Sequence, residues 1–189
     1  MSATASHLVS FAPLLALLTW AAVEDWRTRR IRNWLTLTLA VTGLVQSFTP
    51  VRTVGPLDSA LGLAVGFTLP FAMFVIGAVR GGDVKLMAGA GAWLGWKGVV
   101  LVFVLEKVVG LAIVLTQCAA SGRLGELLRN TRVLTVELLN VRHLGVEHVA
   151  ETGRTFRSID RPLPYAVPVL VATLVVLYLF TRGVSGGRL

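Results

Sequence analysis

Long apolar stretches are the feature that most restricts how this chain can fold. A helix needs roughly 20 apolar residues to cross a bilayer core of about 30 Å. Six stretches come close to that length, at approximately 8–24, 34–49, 59–79, 84–96, 98–118 and 163–181. Within a bilayer every backbone polar group must be paired inside the protein, which restricts such stretches to helices. The sequence therefore predicts an all-α integral membrane protein with about six transmembrane helices, and five as the alternative.

The fourth stretch, 84–96, is too short to cross a bilayer by itself. At about 1.5 Å per residue, a helix of this length reaches only about 20 Å. We therefore expect one of its ends to lie below the membrane surface or at a thinned part of the bilayer. The sequence Gly95-Trp96-Lys97-Gly98 predicts a tight turn into the fifth stretch, with Trp96 at the membrane interface.

The composition agrees with a membrane location and excludes several soluble classes. Hydrophobic residues make up 54% of the chain, above the roughly 45–50% typical of soluble domains. The net charge of +8 is spread over loops instead of forming one basic face, which argues against a nucleic-acid partner. Because Cys118 is the single cysteine, the chain forms neither an internal disulfide nor a zinc site built from paired thiols.

The basic residues predict the orientation in the membrane. If both termini lie outside, 13 of the 18 Lys and Arg residues fall on the inner side, in agreement with the positive-inside rule. The inner segments are then 25–33, 80–84 and 119–162, with Lys85, directly after the second segment, counted as inner. No Lys or Arg precedes the first apolar stretch, unlike in a cleavable signal peptide, so we expect the first helix to stay in the mature protein.

The longest inner loop, 119–162, is predicted to be more than a linker. Leucine and valine residues recur near helical spacing between residues 124 and 141, with charged residues between them. This pattern indicates an amphipathic helix lying on the membrane surface between the fifth and sixth spans. Two roles stay open for it: to cover the cytoplasmic face of the bundle, or to guide a substrate or bind a partner.

Two aspartates stand where inner loops meet helices. Asp25 ends the first stretch, and Asp83 opens the fourth, directly after Gly81 and Gly82. Carboxylates at membrane depth are costly, so they normally pair, face a polar cavity or carry out chemistry. Two adjacent aspartates can share one proton, which leaves one carboxylate to activate water and one carboxylic acid to protonate the scissile peptide group. The two glycines would let a substrate strand approach the backbone closely.

Both aspartate segments resemble the signatures of the prepilin (type IV leader) peptidases, which are GxGD-type intramembrane aspartate proteases. One family aspartate lies in a basic stretch of the form D-x-R-x-R-x-I-P-N, and the other in a GxGD motif that often continues as GDVKL. The first pattern is matched by Asp25, Arg27, Arg29, Ile31 and Asn33, and GDVKL occurs at 82–86. The run 161–168 also resembles the proline-tyrosine stretch that opens the last helix of the family.

The resemblance implies an aspartic endopeptidase in which Asp25 and Asp83 are the catalytic pair, without a metal or cofactor. Supporting or substrate-binding roles would fall to Asn33, Arg80, Gly81, Gly82 and Lys85. The substrate would be a type IV prepilin-like protein that loses its short basic leader at the cytoplasmic face of a prokaryotic plasma membrane. The other expected partners are the lipid bilayer and the pilus or secretion machinery. Residues 1–189 would form one membrane-embedded peptidase domain, with 119–162 as an insertion.

The sequence also departs from the family pattern. Arg80 stands where the first glycine of GxGD is usual, and Arg32 where proline is usual. The two-function members of the family carry a cytoplasmic insertion with paired cysteines, which is linked to methylation of the new amino terminus. Because Cys118 is the only cysteine, we expect the short form, which cleaves but does not methylate.

A charged pair inside an apolar stretch and three histidines are also considered as functional residues. Glu106 and Lys107 lie in the middle of the fifth stretch, where unpaired charges are costly. Adjacent helical residues point about 100° apart, so we expect these two not to pair with each other. Either each pairs with a neighbouring helix, or Glu106 lines the active-site cavity and Lys107 lies near substrate carbonyls. The three histidines, His7, His143 and His148, lack the spacing of a metal site.

Two other functions are compatible with carboxylates in a membrane. The first is a small cation or proton-coupled transporter, and the second is a nonenzymatic assembly partner of a secretion machine. The two aspartates stand at span ends rather than at the midplane, and no inverted repeat is visible, which disfavours the transporter.

Overall fold

The computed structural model describes residues 10–50, 52–155 and 164–181. The regular elements within these ranges are all α-helices, which confirms the predicted all-α class. In the described part they are α1 (Ala12–Thr28), α2 (Asn33–Gln46), α3 (Pro56–Val75), α4 (Gly81–Ala120), α5 (Leu124–Leu139), α6 (Val141–Leu144), α7 (Val146–Thr155) and α8 (Ala166–Thr181). The predictions for His7, for both termini and for 156–163 fall on residues outside the described ranges.

Two of these helices, α3 and α4, are long and apolar enough to cross a membrane, and α8 contains a shorter apolar helix, Ala166–Phe180. α1 and α2 have 17 and 14 residues, fewer than the roughly 20 that a span requires. The number of spans therefore stays a prediction, whereas the outer surface agrees with a membrane protein. Large apolar side chains such as Trp26, Phe48 and Leu57 are more than 60% exposed, and exposed apolar surface of this kind is normally covered by lipid or a partner.

α4 is broken at Gly95 into two segments, 81–94 and 96–120. Gly95 has φ +69° and ψ 176°, a conformation that glycine adopts readily and other residues do not. The break coincides with the start of the predicted turn between the fourth and fifth apolar stretches. Helical structure resumes at once, so the break is shorter than the four residues predicted.

The two segments of α4 fold back on each other. A Cβ placed on Gly66 of α3 would lie 2.6 Å from the carbonyl oxygen of Met87 and 3.1 Å from Val99 Cγ2. In one straight helix Met87 and Val99 would be about 18 Å apart, so the chain must reverse between them. The second segment of α4 consequently runs back beside the first.

Glycines bring α2 and α3 close to the first segment of α4. A Cβ on Gly62 would collide with the carbonyl oxygen of Gly91, and a Cβ on Gly91 with that of Gly62. On the α2 side, a Cβ on Gly43 would lie 2.7 Å from Ala92 Cβ. Small residues at such contacts are typical of packed membrane helices. The first segment of α4 is therefore held at the centre of the bundle.

Side-chain hydrogen bonds reinforce this contact because the break at Gly95 leaves backbone carbonyls without helical partners. Ser59 Oγ donates to the carbonyl oxygen of Ala92 at 2.6 Å. Thr53 Oγ1 donates to the carbonyl oxygen of Trp93 at 2.8 Å, and Trp93 Nε1 donates to the carbonyl oxygen of Leu39 at 3.0 Å. The broken end of the segment is thus tied to α2, to α3 and to the connection between them.

α8 packs against α1 and against the second segment of α4. Its buried face joins residues of both helices in one apolar core, which includes Leu14, Leu18, Val99, Val102, Val169, Ala172 and Val176. This packing places the first turn of α8 beside the last turn of α1, where Asp25 lies.

The described part of the loop 119–162 forms the short helices α5, α6 and α7. α5 has no buried residue, and large apolar side chains such as Leu128 and Leu139 are exposed on it. α7 is anchored to the bundle: its residue Ala150 is buried, and a Cβ on Gly77 would lie 2.8 Å from the Ala150 carbonyl oxygen. Since Gly77 follows α3 and precedes Asp83 by six residues, α7 lies at the same end of the bundle as Asp83.

Candidate active site

Asp25 lies in the last turn of α1 and is only 4% exposed. Its Oδ2 accepts a hydrogen bond from the backbone N–H of Ala166 at 3.0 Å. Ala166 is the first residue of α8, where backbone N–H groups have no partner within the helix. A helix N-terminus also attracts negative charge, so the start of α8 is a suitable binding position for the Asp25 carboxylate.

Asp83 lies in the first turn of α4 and is 7% exposed. Its Oδ2 accepts a hydrogen bond from the backbone N–H of Arg80 at 2.9 Å. Asp83 therefore caps the helix on which it stands, in the way that an acidic side chain at this position commonly does. The sequence places this carboxylate locally, because donor and acceptor are three residues apart.

The two aspartates lie near each other. Both are buried at the same end of the bundle, and Asp83 is close enough to Asp25, Arg80 and Lys107 to interact with their charges. α1 and α4 are separated by α2 and α3 in the chain, so this proximity depends on the packing of the whole bundle. The structure thus brings together the two residues that the motifs singled out.

The segments that carry the aspartates are joined directly. Arg80 Nη1 donates to the carbonyl oxygen of Arg29 at 3.2 Å, and Lys85 Nζ donates to Asn33 Oδ1 at 3.0 Å. Arg29 has a positive φ of 55° and ends α1 in a left-handed conformation, which turns the chain toward α2. Arg80, at the position of the usual family glycine, therefore links the two motifs.

The glycines before Asp83 are not required by the fold. Neither Gly81 nor Gly82 is among the glycines with a positive φ. A Cβ on Gly81 would lie 3.8 Å from Phe74 Cε2, and one on Gly82 would lie 3.6 Å from Ile31 Cβ. These are ordinary van der Waals distances, so the described contacts would accommodate alanine at both positions.

Arg32, which stands at the position of the usual family proline, has a charged partner. Its Nε lies 2.6 Å from Oε1 of Glu24, whose side chain is 9% exposed. Glu24 Oε2 is buried and makes no hydrogen bond within the described residues. No role was predicted for Glu24, whereas the structure shows that its carboxylate binds the turn between α1 and α2.

Glu106 and Lys107 form an ion pair, with Lys107 Nζ 2.7 Å from Glu106 Oε1. The prediction that these neighbours do not pair was wrong, because the long lysine side chain can bend back along the helix. The ammonium group is held 4.9 Å from the Phe103 ring centre and 5.1 Å from that of Tyr165, distances at which cation–π attraction operates. Glu106 also pairs with a neighbouring helix, as one of the two alternatives predicted, since Tyr165 Oη donates to Glu106 Oε1 at 2.8 Å.

Tyr165 and Ala166 were missed as site residues. Two signals were present in the sequence: the run 161–168 resembles the proline-tyrosine stretch of the family, and Glu106, a glutamate within an apolar stretch, needs a partner. The sequence could not identify that partner, which is 59 residues away. The described residues contain no group of three or more His, Cys, Asp and Glu that could hold a metal ion.

Comparison with known proteins gives one family and one relative. The model of the type IV leader peptidase family matches residues 12–115, which include both aspartates. A preflagellin peptidase of Methanococcus voltae is 32% identical over 89 residues, which cover 45% of this chain and 38% of the relative. This chain therefore spans well under two thirds of the length of that relative. No solved structure matches. Because the family model covers more than half of the chain, the protein belongs to the type IV leader peptidase family.

Proposed function

We propose that this protein is an aspartic endopeptidase that removes the short basic leader from type IV prepilin-like proteins. The observation that carries the proposal is that Asp25 and Asp83, one from each motif, are both buried at one end of the bundle, within range of each other's charge. Membership of the leader peptidase family supports this function over a transporter or a nonenzymatic assembly partner. The relative described as a preflagellin peptidase supports a substrate of the same chemical class.

In the proposed mechanism the two aspartates act as one unit. Adjacent carboxylates in a buried site can share a proton. The ionised one accepts a proton from water, and the protonated one donates to the scissile carbonyl or the departing amine. Each carboxylate is oriented by a backbone N–H on its Oδ2, so we assign the Oδ1 atoms to water and substrate. Such fixed orientation lowers the barrier by holding reacting groups in place.

Gly81, Gly82, Asn33, Arg80 and Lys85 would surround the substrate strand. Since the described contacts do not require glycine at 81 and 82, we assign the missing side chains to close approach of the substrate backbone. Arg80 and Lys85 join the two motif segments, so their role is to keep the aspartates at a constant separation.

We further propose that the site lies at the cytoplasmic face of a prokaryotic plasma membrane, with both termini outside. This orientation places 13 of the 18 basic residues inside. It is supported by α7, which lies at the same end of the bundle as Asp83 and belongs to the basic loop 119–162. In this proposal residues 1–189 are a single membrane-embedded domain, and α5 rests on the membrane surface with its apolar residues in the lipid.

The orientation can be tested by cysteine accessibility. A cysteine at position 130, in a variant in which Cys118 is replaced by alanine, should resist an impermeant thiol reagent added to intact cells. It should react once the membrane is opened. Labelling of position 130 in intact cells would contradict the proposed orientation.

The function can be tested with purified full-length protein in detergent and a panel of prepilin-like peptides. Mass spectrometry of the products should show one cut between the basic leader and the apolar helix of the peptide. A peptide with an acidic leader of the same length is the matched substrate control and should be cut poorly. Absence of cleavage of every basic-leader peptide, by a protein that is folded and monodisperse, would contradict the proposal.

A further inference from the structure

We propose that Glu106 and Tyr165 position Asp25 for catalysis by holding the first backbone amide of α8 against its carboxylate. The inference rests on the proposed function for its catalytic consequence. Tyr165 and Ala166 lie outside residues 12–115, the segment that the family model matches. Glu106 lies within that segment but has no place in the mechanism described so far.

The two aspartates are held in unequal ways. Asp83 is bound by the N–H of Arg80, which is three residues away on the same helix start. Asp25 is bound by the N–H of Ala166, which is 141 residues away and belongs to another helix. The position of Asp83 is therefore set locally, whereas the hydrogen bond to Asp25 exists only if α8 begins at the correct place.

A buried polar contact fixes the start of α8. Tyr165, the residue directly before Ala166, donates from its hydroxyl to Oε1 of Glu106 at 2.8 Å. Glu106 is 2% exposed and lies on the second segment of α4, and the same Oε1 accepts Lys107 Nζ at 2.7 Å. Hydrogen bonds to a buried charged group are stronger than neutral ones, so this contact is suited to anchor the end of a helix.

The chain of contacts thus runs from Lys107 through Glu106 and Tyr165 to the Ala166 amide and Asp25. The anchor and the amide belong to consecutive residues, Tyr165 and Ala166, so a shift of the Tyr165 backbone would move the hydrogen-bond donor directly. Glu106 and Tyr165 are accordingly positioning residues, because they act on Asp25 through the backbone of α8. A catalytic carboxylate that is displaced by about 1 Å can lose roughly 100-fold in rate.

The test compares Tyr165→Phe, Glu106→Ala and Glu106→Gln in the purified full-length protein. Tyr165→Phe should lower kcat roughly 10- to 100-fold, with KM within about threefold, because loss of a hydrogen bond to a charged group has an effect of this size. Glu106→Gln keeps an oxygen that can accept from Tyr165, so it should retain more activity than Glu106→Ala. The double variant Tyr165→Phe/Glu106→Ala should be no slower than the slower single variant, since each single change already removes the same Tyr165–Glu106 hydrogen bond.

The matched control is Thr173→Val, which removes another buried hydroxyl from α8. Thr173 is fully buried and donates to the carbonyl oxygen of Val169 in its own helix at 2.8 Å, far from Asp25 along the helix. Its kcat should stay within about twofold of the wild type. A loss in this control equal to that in Tyr165→Phe would overturn the inference in favour of general destabilisation of α8.

Amide hydrogen exchange gives a readout that does not need activity. Residues 164–168 contain three amides, because Pro164 and Pro168 carry none. Exchange in this segment should be faster in Tyr165→Phe and in Glu106→Ala than in wild type and in Thr173→Val. Unchanged exchange, or an effect on KM alone, would overturn the inference. Faster exchange in a protein that cleaves no leader peptide would support the positioning role and contradict the proposed function instead.

Discussion

Glycines serve different purposes at the two ends of the first segment of α4. Near its broken end, Gly62 and Gly91 exclude side chains because the backbones of α3 and α4 touch. At the other end, Gly81 and Gly82 have ordinary backbone angles and room for a methyl group. Glycine content alone therefore does not reveal function, because packing explains Gly62 and Gly91 but does not explain Gly81 and Gly82. A glycine that the fold does not need is a candidate for contact with substrate.

The polar contacts follow the same division. At the broken end, the hydroxyl groups of Ser59 and Thr53 donate to backbone carbonyls, so their hydrogen-bond partners belong to the protein itself. At the other end, Asp25 and Asp83 each receive a backbone N–H on one oxygen, and both lie near a second carboxylate. At the broken end the polar groups therefore serve packing. At the other end each aspartate keeps a carboxylate oxygen that can take part in catalysis.

The largest expected effect is at the packed end. Gly62→Leu should prevent folding, because the added side chain would have to displace the backbone of Gly91, and strong overpacking is among the few single changes that exceed about 4 kcal/mol. Gly110→Leu is the matched control, since a Cβ on Gly110 meets nothing within 4 Å. The yield of monodisperse protein after detergent extraction measures both. A folded Gly62→Leu variant would show that close packing does not require glycine at position 62.

A smaller effect on the fold, with a large effect on activity, is expected at the aspartate end. Gly82→Ala should leave the melting temperature within about 2 °C of wild type. The added methyl group has room, and substitutions that disturb no packed contact usually change the free energy of unfolding by about 0.5 kcal/mol or less. Its kcat/KM should fall roughly 10- to 100-fold, since a methyl group would obstruct the substrate backbone. Full activity of Gly82→Ala would remove the proposed reason for glycine at this position.

Loss of the hydrogen bond between Lys85 and Asn33, which joins the two motif segments, should lower activity less. Lys85→Met and Asn33→Ala each remove the hydrogen bond between α4 and α2, which is exposed to solvent. Because exposed contacts of charged groups are worth about 1 kcal/mol or less, each change should lower kcat/KM by about fivefold or less. A double-mutant cycle on kcat/KM measures the coupling, and strictly additive losses would show that the bridge plays no part in catalysis.

The smallest effect is expected for Glu24→Gln. The side chain of Glu24 contacts Arg32, whose own side chain is 66% exposed, and glutamine can still accept from that guanidinium. Ion pairs with a solvent-exposed partner contribute little, so cleavage should stay within about threefold of wild type. A loss as large as that of an aspartate variant would place Glu24 in the catalytic machinery.

The all-α class and the break near Gly95 could be predicted from the sequence, and the motifs singled out the two aspartates that the structure buries at one end of the bundle, because each leaves a local signature. Apolar stretches indicate helices, a glycine beside tryptophan and lysine indicates a turn at the interface, and the motifs carry Asp25 and Asp83. The contacts of Tyr165 and of the Ala166 amide could not be predicted, because they depend on how α8 packs against two helices distant in sequence. The pairing of Glu106 with Lys107 was missed because helical geometry fixes the Cβ direction but not the end of a long, flexible side chain.

We expect Asp25 and Asp83 to act as one catalytic unit, and a cleavage time course on aspartate variants measures whether they do. Asp25→Asn and Asp83→Asn should each lower the rate at least roughly 1,000-fold, and the double variant should be no slower than either, because groups that act together are not additive. Asp58→Asn is the matched control, since Asp58 lies beside Gly95 at the opposite end of the segment. Substantial turnover by either single variant, at matched amounts of folded protein, would show that the two aspartates do not form one catalytic unit.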